Sequence, residues 1–290
     1  MMMGGQSWSS MPPVVKNLLI LNGLMYLASF SFMQGFGVNF WEIFGLHYFQ
    51  SDLFEPFQVV TYMFMHSQFD LSHLLFNMFA VWMFGSTIES VWGSKRFLIY
   101  YLLTGFGAAF LHYAIIAVDL YPLITTLDQL VDAGDAQSIA AFMAEHNYGN
   151  YVSATFNPKG YALVQSTFSQ AQLELAVNPD NTQLVYEARE FLLQYRDFVA
   201  DSPNVVGASG ALFGILLAFG MMFPNVSLYM MFIPIPIKAK YFVIGYGAIE
   251  LYSAFSANPG DNVAHFAHLG GMLFGFNIIK FWQTTGKRWR

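Results

Sequence analysis

Long apolar stretches with few charges constrain this sequence more than any other feature. Only 10% of its 290 residues are charged, whereas 56% are hydrophobic. A soluble domain carries about 25% charged residues, because its surface must be hydrated. A membrane-spanning helix needs roughly 20 mainly apolar residues. We therefore expect an all-α polytopic membrane protein with six spanning helices, at about 17–35, 71–89, 97–118, 205–223, 240–257 and 263–282.

One further apolar stretch, 221–237, is not expected to span. It contains Pro224, Pro234 and Pro236, and proline inside a helix removes a hydrogen bond and clashes with the preceding turn. This stretch is predicted to form a membrane-surface loop.

Basic residues cluster at one side of the predicted bundle. Nine of the twelve flank the same ends of the spans: Lys16, Lys95, Arg96, Lys238, Lys240, Lys280, Lys287, Arg288 and Arg290. Cytoplasmic loops of membrane proteins carry an excess of Lys and Arg. Both termini are therefore expected in the cytoplasm, and a bacterial inner membrane is the expected location. Residues 36–70, 119–204 and 258–262 then lie on the outer side.

The stretch 119–204 differs from the remainder of the chain. It contains eleven acidic and three basic residues, and apolar positions recur at helical spacing in 184–200. We predict an extramembrane helical insertion at 119–202, with two or three short helices, between the third and fourth spans. The membrane domain then comprises 1–118 and 203–290. The insertion is either a passive addition or a lid over a site on the outer face.

Four polar residues inside the predicted spans are candidates for function, because polar groups in a membrane are costly. His73 and Asn77 lie four residues apart on one helix face, Ser209 lies near the start of the fourth span, and His268 lies in the sixth. The three spans run in the same direction. Ser209 is about 6 Å and His268 about 8 Å from the outer helix ends, at 1.5 Å per residue. These side chains can therefore converge at one shallow depth.

A serine hydroxyl is a weak nucleophile and needs an adjacent base, for which histidine is suited. Asn77, His73 and the backbone N–H of Ser209 are the expected donors to an oxyanion. Glu89 is expected near the cytoplasmic end of its helix, and Glu250 lies in the fifth span. With no acidic residue predicted at the matching depth, the expected site is a Ser–His dyad without a third member.

Glycines at four-residue spacing are typical of closely packed membrane helices. Gly210 and Gly214 in the fourth span, and Gly271 and Gly275 in the sixth, are predicted to bring Ser209 within reach of a histidine. His265 and His268 are three residues apart, so position alone does not choose between them. Each polar residue also has a structural interpretation, as a back-bond to its own helix or as a contact between helices.

At this point the sequence resembles the rhomboid family. The segments HLLFNMFAVWMFG (73–85), VVGASGALFGILLAFG (205–220) and AHFAHLGGMLFG (264–275) are similar to its His-x-x-x-Asn, Gly-x-Ser-Gly and final histidine helices. GSTIESVWGSKRFLIYY (85–101) is similar to the link between its second and third spans. The resemblance covers about 1–118 and 203–285.

The resemblance implies a rhomboid-type bundle and a serine protease that cleaves transmembrane protein substrates in the lipid bilayer. It implies Ser209 as nucleophile and His268 as general base, with His73, Asn77 and the Ser209 amide at the oxyanion. Phe213 takes the position of an aromatic residue against the histidine ring. Supporting glycines of these motifs are Gly207, Gly210, Gly271 and Gly275.

Two features depart from the family pattern. Phe57-Gln58 occupies the place of a frequent Trp-Arg pair, and the insertion 119–202 is unusually long. An inactive relative that binds membrane clients is the main alternative, although such proteins typically lack the Ser or the His. A histidine-lined channel is a second alternative. A metal at His265 and His268 is not expected, because no acidic ligand is predicted at their depth. No cofactor or nucleic-acid partner is predicted.

Overall fold

The computed structural model describes residues 10–66, 71–146, 174–175, 177–230, 233–256 and 264–286. Helices dominate these residues. In chain order the elements are α1 (Pro13–Phe36), α2 (Phe40–Phe44), β1 (Leu46–His47), α3 (Gln58–Thr61), a 3-10 turn (Tyr62–Phe64), α4 (Leu71–Ala80), a π-helical turn (Val81–Gly85), α5 (Ser86–Trp92), α6 (Ser94–Ala133), α7 (Ala136–Glu145), α8 (Thr182–Asp201), β2 (Asn204–Val205), α9 (Ser209–Met222), β3 (Ser227–Met230), β4 (Ile233–Lys238), α10 (Ala239–Phe255) and α11 (His265–Thr284).

The chain divides into two compact units. The first comprises Met1–Leu46, Glu55–Ile115 and Asn204–Arg290, and the second comprises His47–Phe54 and Ile116–Pro203. The first unit contains the helices at five of the predicted spans and α6 as far as Ile115, whereas the remainder of α6 belongs to the second unit. Residues 147–173 and 176 of the predicted insertion lie outside the described residues, as do the basic residues of the C-terminus after position 286.

The predicted all-α polytopic membrane fold is confirmed. Among the described residues, three helical segments are long and apolar enough to cross a membrane: Pro13–Phe36, Leu71–Trp92 and Ser94–Ala133. Helices also lie at the other three predicted positions, but Ser209–Met222 has only 14 residues. At 1.5 Å per residue that is about 21 Å, against a hydrocarbon core of about 30 Å. The count of six spanning helices therefore stays a prediction.

Helix α6 is longer than the sequence pattern indicates. Its predicted span ends at 118, whereas the helix continues through Pro122 to Ala133 and has 40 residues. The predicted span ends at 118 because the apolar run stops at Asp119. Beyond Asp119 the backbone stays helical. There Thr125 and Thr126 donate hydrogen bonds to the carbonyls of Tyr121 and Pro122, at 2.8 and 2.9 Å. The helices of the insertion are thus not all short.

The proline-containing stretch 221–237 is not a helix after Met222, but it is more regular than the predicted loop. Strands β3 and β4 pair antiparallel, with Ser227 opposite Lys238 and Leu228 opposite Ile237. Pro234 and Pro236 both belong to β4. A two-stranded ribbon leaves one side of each strand without a partner, and proline is tolerated there.

The second unit contains α7 and α8. The Asp135 carboxylate accepts a hydrogen bond from the Ser138 amide at the start of α7, 2.8 Å away, and Asn181 caps α8 in the same way. Helix α8 agrees with the amphipathic pattern at 184–200. Its buried positions recur every three or four residues: Ala188, Leu192, Tyr195 and Val199.

Helix α9 forms the centre of the first unit. Most of its residues are buried on all sides, as expected of a helix without a polar face. It makes its most extensive contact with α11. A side chain on Gly271 would overlap the carbonyl oxygen of Gly210, and one on Gly275 would lie 3.3 Å from Gly214 Cα. The two backbones therefore touch without intervening side chains.

Glu89 connects the beginning of α1 to the link between α5 and α6. Its carboxylate is buried and accepts hydrogen bonds from the amides of Val14 and Val15, at 2.9 and 2.8 Å, and from Ser94 Oγ at 2.6 Å. The first amides of a helix lack partners within it and carry partial positive charge. Glu89 thus has a structural role as a cap for α1.

Gln58 anchors the segment before α4, where Phe57-Gln58 departs from the family pattern. The side chain is 1% exposed, donates to the Ile43 carbonyl at 3.1 Å and accepts from the Glu55 amide at 3.1 Å. Thr61 adds a hydrogen bond to the Phe44 carbonyl at 2.8 Å. These hydrogen bonds, none of which involves a charged side chain, connect α3 to α2 and to the residues between them.

Replacing Gly271 with alanine should destabilise the first unit, because the methyl group would strike backbone that cannot move aside. We expect a loss of about 1–3 kcal/mol in unfolding free energy. Gly245 in α10 has open space around it, so Gly245→Ala should leave stability unchanged or raise it by up to about 1 kcal/mol. Thermal unfolding of both variants in detergent measures the difference. Equal stabilities would contradict the close approach.

Candidate active site

Ser209 is the first residue of α9, directly after a sharp turn. Gly207 has φ of +124°, which L-residues rarely adopt, and its amide donates to the Tyr62 carbonyl at 2.9 Å. The turn directs the chain into the helix, so the amide of Ser209 belongs to the first turn. Amides there have no acceptor within the helix. Ser209 itself is partly exposed, whereas the residues after it are buried.

His268 contacts the serine directly. Its Nε2 lies 2.9 Å from Ser209 Oγ, although the two residues are 59 positions apart in the chain. Phe213, one turn after the serine, stacks on the imidazole with ring centroids 4.2 Å apart and an interplanar angle of 10°. The ring is 7% exposed. Hydrogen bonding at its edge and stacking on its face fix its orientation.

Glu250 is the third member of this arrangement, and the predicted absence of an acidic residue at this depth is wrong. Its Oε2 lies 2.8 Å from Nδ1 of His268, on the side of the ring opposite Ser209. The carboxylate is 5% exposed. Serine, histidine and glutamate are therefore connected in series by two hydrogen bonds.

Antiparallel helix direction explains why the sequence argument missed Glu250. Helix α10 ends at Phe255, so Glu250 lies five residues, or about 8 Å, before its end. Helix α11 begins at His265, so His268 lies three residues, or about 5 Å, after its start. Counting back from the end of α10 would have placed both at similar depth. The predicted fifth span contains Glu250, but the depth of Glu250 within that span is not counted in the sequence-based prediction.

His265 also reaches the carboxylate. Its Nδ1 lies 2.6 Å from the same Oε2. Glu250, His265 and His268 thus offer metal-ligand atoms that all lie within 4.8 Å of one another. Two histidines and a glutamate form a donor set that suits zinc. The argument against a metal rested on a missing acidic ligand, and that premise is wrong, since Glu250 supplies it.

His73 and Ser209 both lie next to Gly207. A methyl group built on Gly207 would be 3.3 Å from His73 Cε1 and 3.7 Å from Ser209 Oγ. The missing side chain therefore leaves a small space bounded by the imidazole of His73 and the serine hydroxyl. His66 packs edge-on against His73 at 5.2 Å, and burial, together with His73, lowers the pKa of His66 to about 3. His66 therefore stays uncharged beside His73.

Asn77 is buried and donates a hydrogen bond from Nδ2 to the carbonyl of His73 at 2.9 Å. This is the back-bond expected of the structural interpretation. An amide group carries two N–H donors, so one remains for another acceptor. Of the predicted supporting glycines, Gly207 shapes the space near Ser209, and Gly271 and Gly275 lie at the contact of α9 and α11. Gly210 meets Gly271 through its carbonyl oxygen, whereas a side chain on Gly210 would strike Ala108 of α6.

These features define a multi-pass α-helical membrane protein with a serine–histidine pair at the start of a buried helix. The model of the Rhomboid domain matches residues 53–146 and 116–282. The chain therefore belongs to the rhomboid family, as the motifs predicted, a family composed mostly of intramembrane serine proteases that also has inactive members. No curated protein and no solved structure matches the chain.

Gly207→Ala should abolish reaction of Ser209 with a small fluorophosphonate. The methyl group would enter the space between His73 and the serine, and the positive φ adds strain of about 1–3 kcal/mol. Gly93 has φ of +77° with open space around it, so Gly93→Ala introduces comparable strain without obstruction. Mass spectrometry of labelled protein compares the two. Full labelling of the Gly207 variant would show that this space is not used.

Proposed function

We propose that this protein is an intramembrane serine endopeptidase that cleaves transmembrane or juxtamembrane peptide bonds of membrane proteins. The observation that carries the proposal is the 2.9 Å hydrogen bond between Ser209 Oγ and His268 Nε2. A nucleophile and a base within 2.6–3.2 Å are the geometric requirement for serine catalysis. Membership of the rhomboid family supplies the substrate class, membrane-protein chains within a bilayer.

In the proposed reaction Ser209 attacks the scissile carbonyl carbon while its hydroxyl proton passes to His268 Nε2. The tetrahedral intermediate then collapses. The C–N bond breaks, and His268 returns the proton to the leaving amine. A water molecule repeats the sequence on the acyl-enzyme and releases the second product. The partial exposure of Ser209, beside the buried imidazole, supports access for a substrate and for that water.

The oxyanion of the intermediate requires hydrogen-bond donors aimed at the developing charge. We assign this role to the Ser209 amide, His73 and Asn77. The amide lies at the positive end of the α9 dipole. The space next to Gly207 is bordered by the imidazole of His73 and by Ser209 Oγ, which supports this assignment. The free N–H of Asn77 is the third candidate donor.

The charge distribution supports an orientation in which both termini face the cytoplasm. Nine of the twelve basic residues then lie on the inner side, and the site opens toward the outer side. Under this proposal the protease domain comprises 1–118 and 203–290, in a bacterial inner membrane, with 119–202 as an extracytoplasmic insertion.

An inactive client-binding relative is the alternative function. Loss of the nucleophile or the base is what such a relative would be expected to show. Ser209 and His268 are present and in contact, which favours the enzyme.

Ser209→Ala should abolish cleavage of a single-span substrate in proteoliposomes, because it removes the hydroxyl that lies 2.9 Å from His268 Nε2. Ser90→Ala is a matched control, since Ser90 Oγ only donates to the Ser86 carbonyl of its own helix, at 2.7 Å. The control should cleave at the wild-type rate. Cleavage by the Ser209 variant would refute the nucleophile, whereas a wild-type protein that binds substrates without cleaving them would support the inactive alternative.

Removing an oxyanion donor should lower kcat by about 10²–10³-fold. Asn77→Ala and His73→Ala are expected to show this loss in the same assay. Asn277 in α11 makes the same back-bond as Asn77, from Nδ2 to the carbonyl four residues earlier, at 2.8 Å. Asn277→Ala should therefore leave kcat unchanged. Equal, unaltered kcat in all three variants would assign His73 and Asn77 to structure alone.

A further inference from the structure

The carboxylate of Glu250 accepts from two imidazoles at once. Oε2 lies 2.8 Å from Nδ1 of His268 and 2.6 Å from Nδ1 of His265. We propose that Glu250 is a positioning residue for catalysis and that the reactive unit is a Ser209–His268–Glu250 series. The inference rests on the proposed protease function and adds a residue to it.

The shared oxygen fixes the tautomer of His268. A carboxylate oxygen is an acceptor with free lone pairs, so it can receive one N–H from each histidine. A protonated Oε2 could donate to only one of the two Nδ1 atoms and would leave the other unpaired. With both Nδ1 atoms protonated, the Nε2 of His268 carries a lone pair directed at Ser209 Oγ. That is the tautomer which a general base requires.

The same contact stabilises the charge that forms during the reaction. When the serine proton reaches Nε2, His268 becomes an imidazolium that carries two N–H groups. Glu250 lies against the Nδ1–H and is 5% exposed, so little water screens the attraction. No proton transfers to Glu250. It retains its electron pairs and its charge, and the proton at Nε2 continues to the leaving amine.

Three contacts then hold one ring from three sides. Ser209 is at Nε2, Glu250 is at Nδ1, and Phe213 covers a face. His265 holds the carboxylate from a second direction. Glu250 belongs to α10, whereas both histidines belong to α11, so the arrangement depends on the packing of these two helices.

The test compares two buried glutamates in proteoliposomes with a single-span substrate. Glu250→Gln should lower kcat by about 10²–10⁴-fold, as when the carboxylate of a triad is replaced by an amide, with KM within about threefold. Glu89→Gln is the matched control. Glu89 is equally buried but binds the α1 amides, so its variant should lower the unfolding temperature and leave kcat of the folded protein unchanged. Glu250→Asp restores the charge and should recover at least tenfold over the glutamine variant.

The outcomes separate the two proposals. An inactive wild-type protein would refute the protease function and this inference with it. An active wild-type protein whose Glu250→Gln variant keeps kcat within threefold would overturn this inference alone. Loss of wild-type activity on adding EDTA would assign the cluster to a metal and also overturn it.

A measurement on the unaltered protein covers the case in which the glutamine variant does not fold. Nitrogen-15 NMR of histidine-labelled wild-type protein reports which ring nitrogen of His268 carries the proton. Protonation at Nδ1 with a bare Nε2 is the expected result. A proton on Nε2 and a bare Nδ1 would contradict the role of Glu250.

Discussion

The backbone contact between Gly210 and Gly271 determines whether the polar groups of this protein can act together. A side chain on Gly271 would strike the carbonyl oxygen of Gly210 and separate α9 from α11. Ser209 precedes the first of these glycines, and His268 lies three residues before the second, so their 2.9 Å hydrogen bond depends on the helices touching. In a membrane interior the helices gain little from the hydrophobic effect, and close packing of small residues takes its place.

Glu89 and Glu250, the buried carboxylates among the described residues, each accept several hydrogen bonds. Glu89 receives two helix amides and a serine hydroxyl, and Glu250 receives two imidazoles. A buried charge without such partners would be strongly destabilising. The chemistry of the partners separates the two roles. Backbone amides do not exchange protons during a reaction, whereas an imidazole in contact with a serine can.

The positions of Ser209, His268 and His73 could be predicted because residue counting from the N-terminal ends of parallel helices gives their relative depth directly. Glu250 was missed because its helix runs in the opposite direction, and its depth must be counted from the end. The length of α6 was missed because hydropathy reports where apolar residues stop and not where helical hydrogen bonding stops. The β3–β4 ribbon was missed because its prolines were treated only as helix breakers. Gln58 could not be assigned, since its side chain bonds to the backbone groups of Ile43 and Glu55, which the sequence does not specify.

The central claim is that Ser209 is reactive because His268 lies against it. The most direct measurement is the second-order rate of fluorophosphonate modification, with the adduct located by mass spectrometry, in the wild-type protein and in His268→Ala and His265→Ala. The account predicts a single adduct on Ser209 in the wild-type protein, no adduct in His268→Ala, and most of the reactivity retained in His265→Ala. A His268 variant that labels at the wild-type rate, or an adduct on another residue, would contradict it.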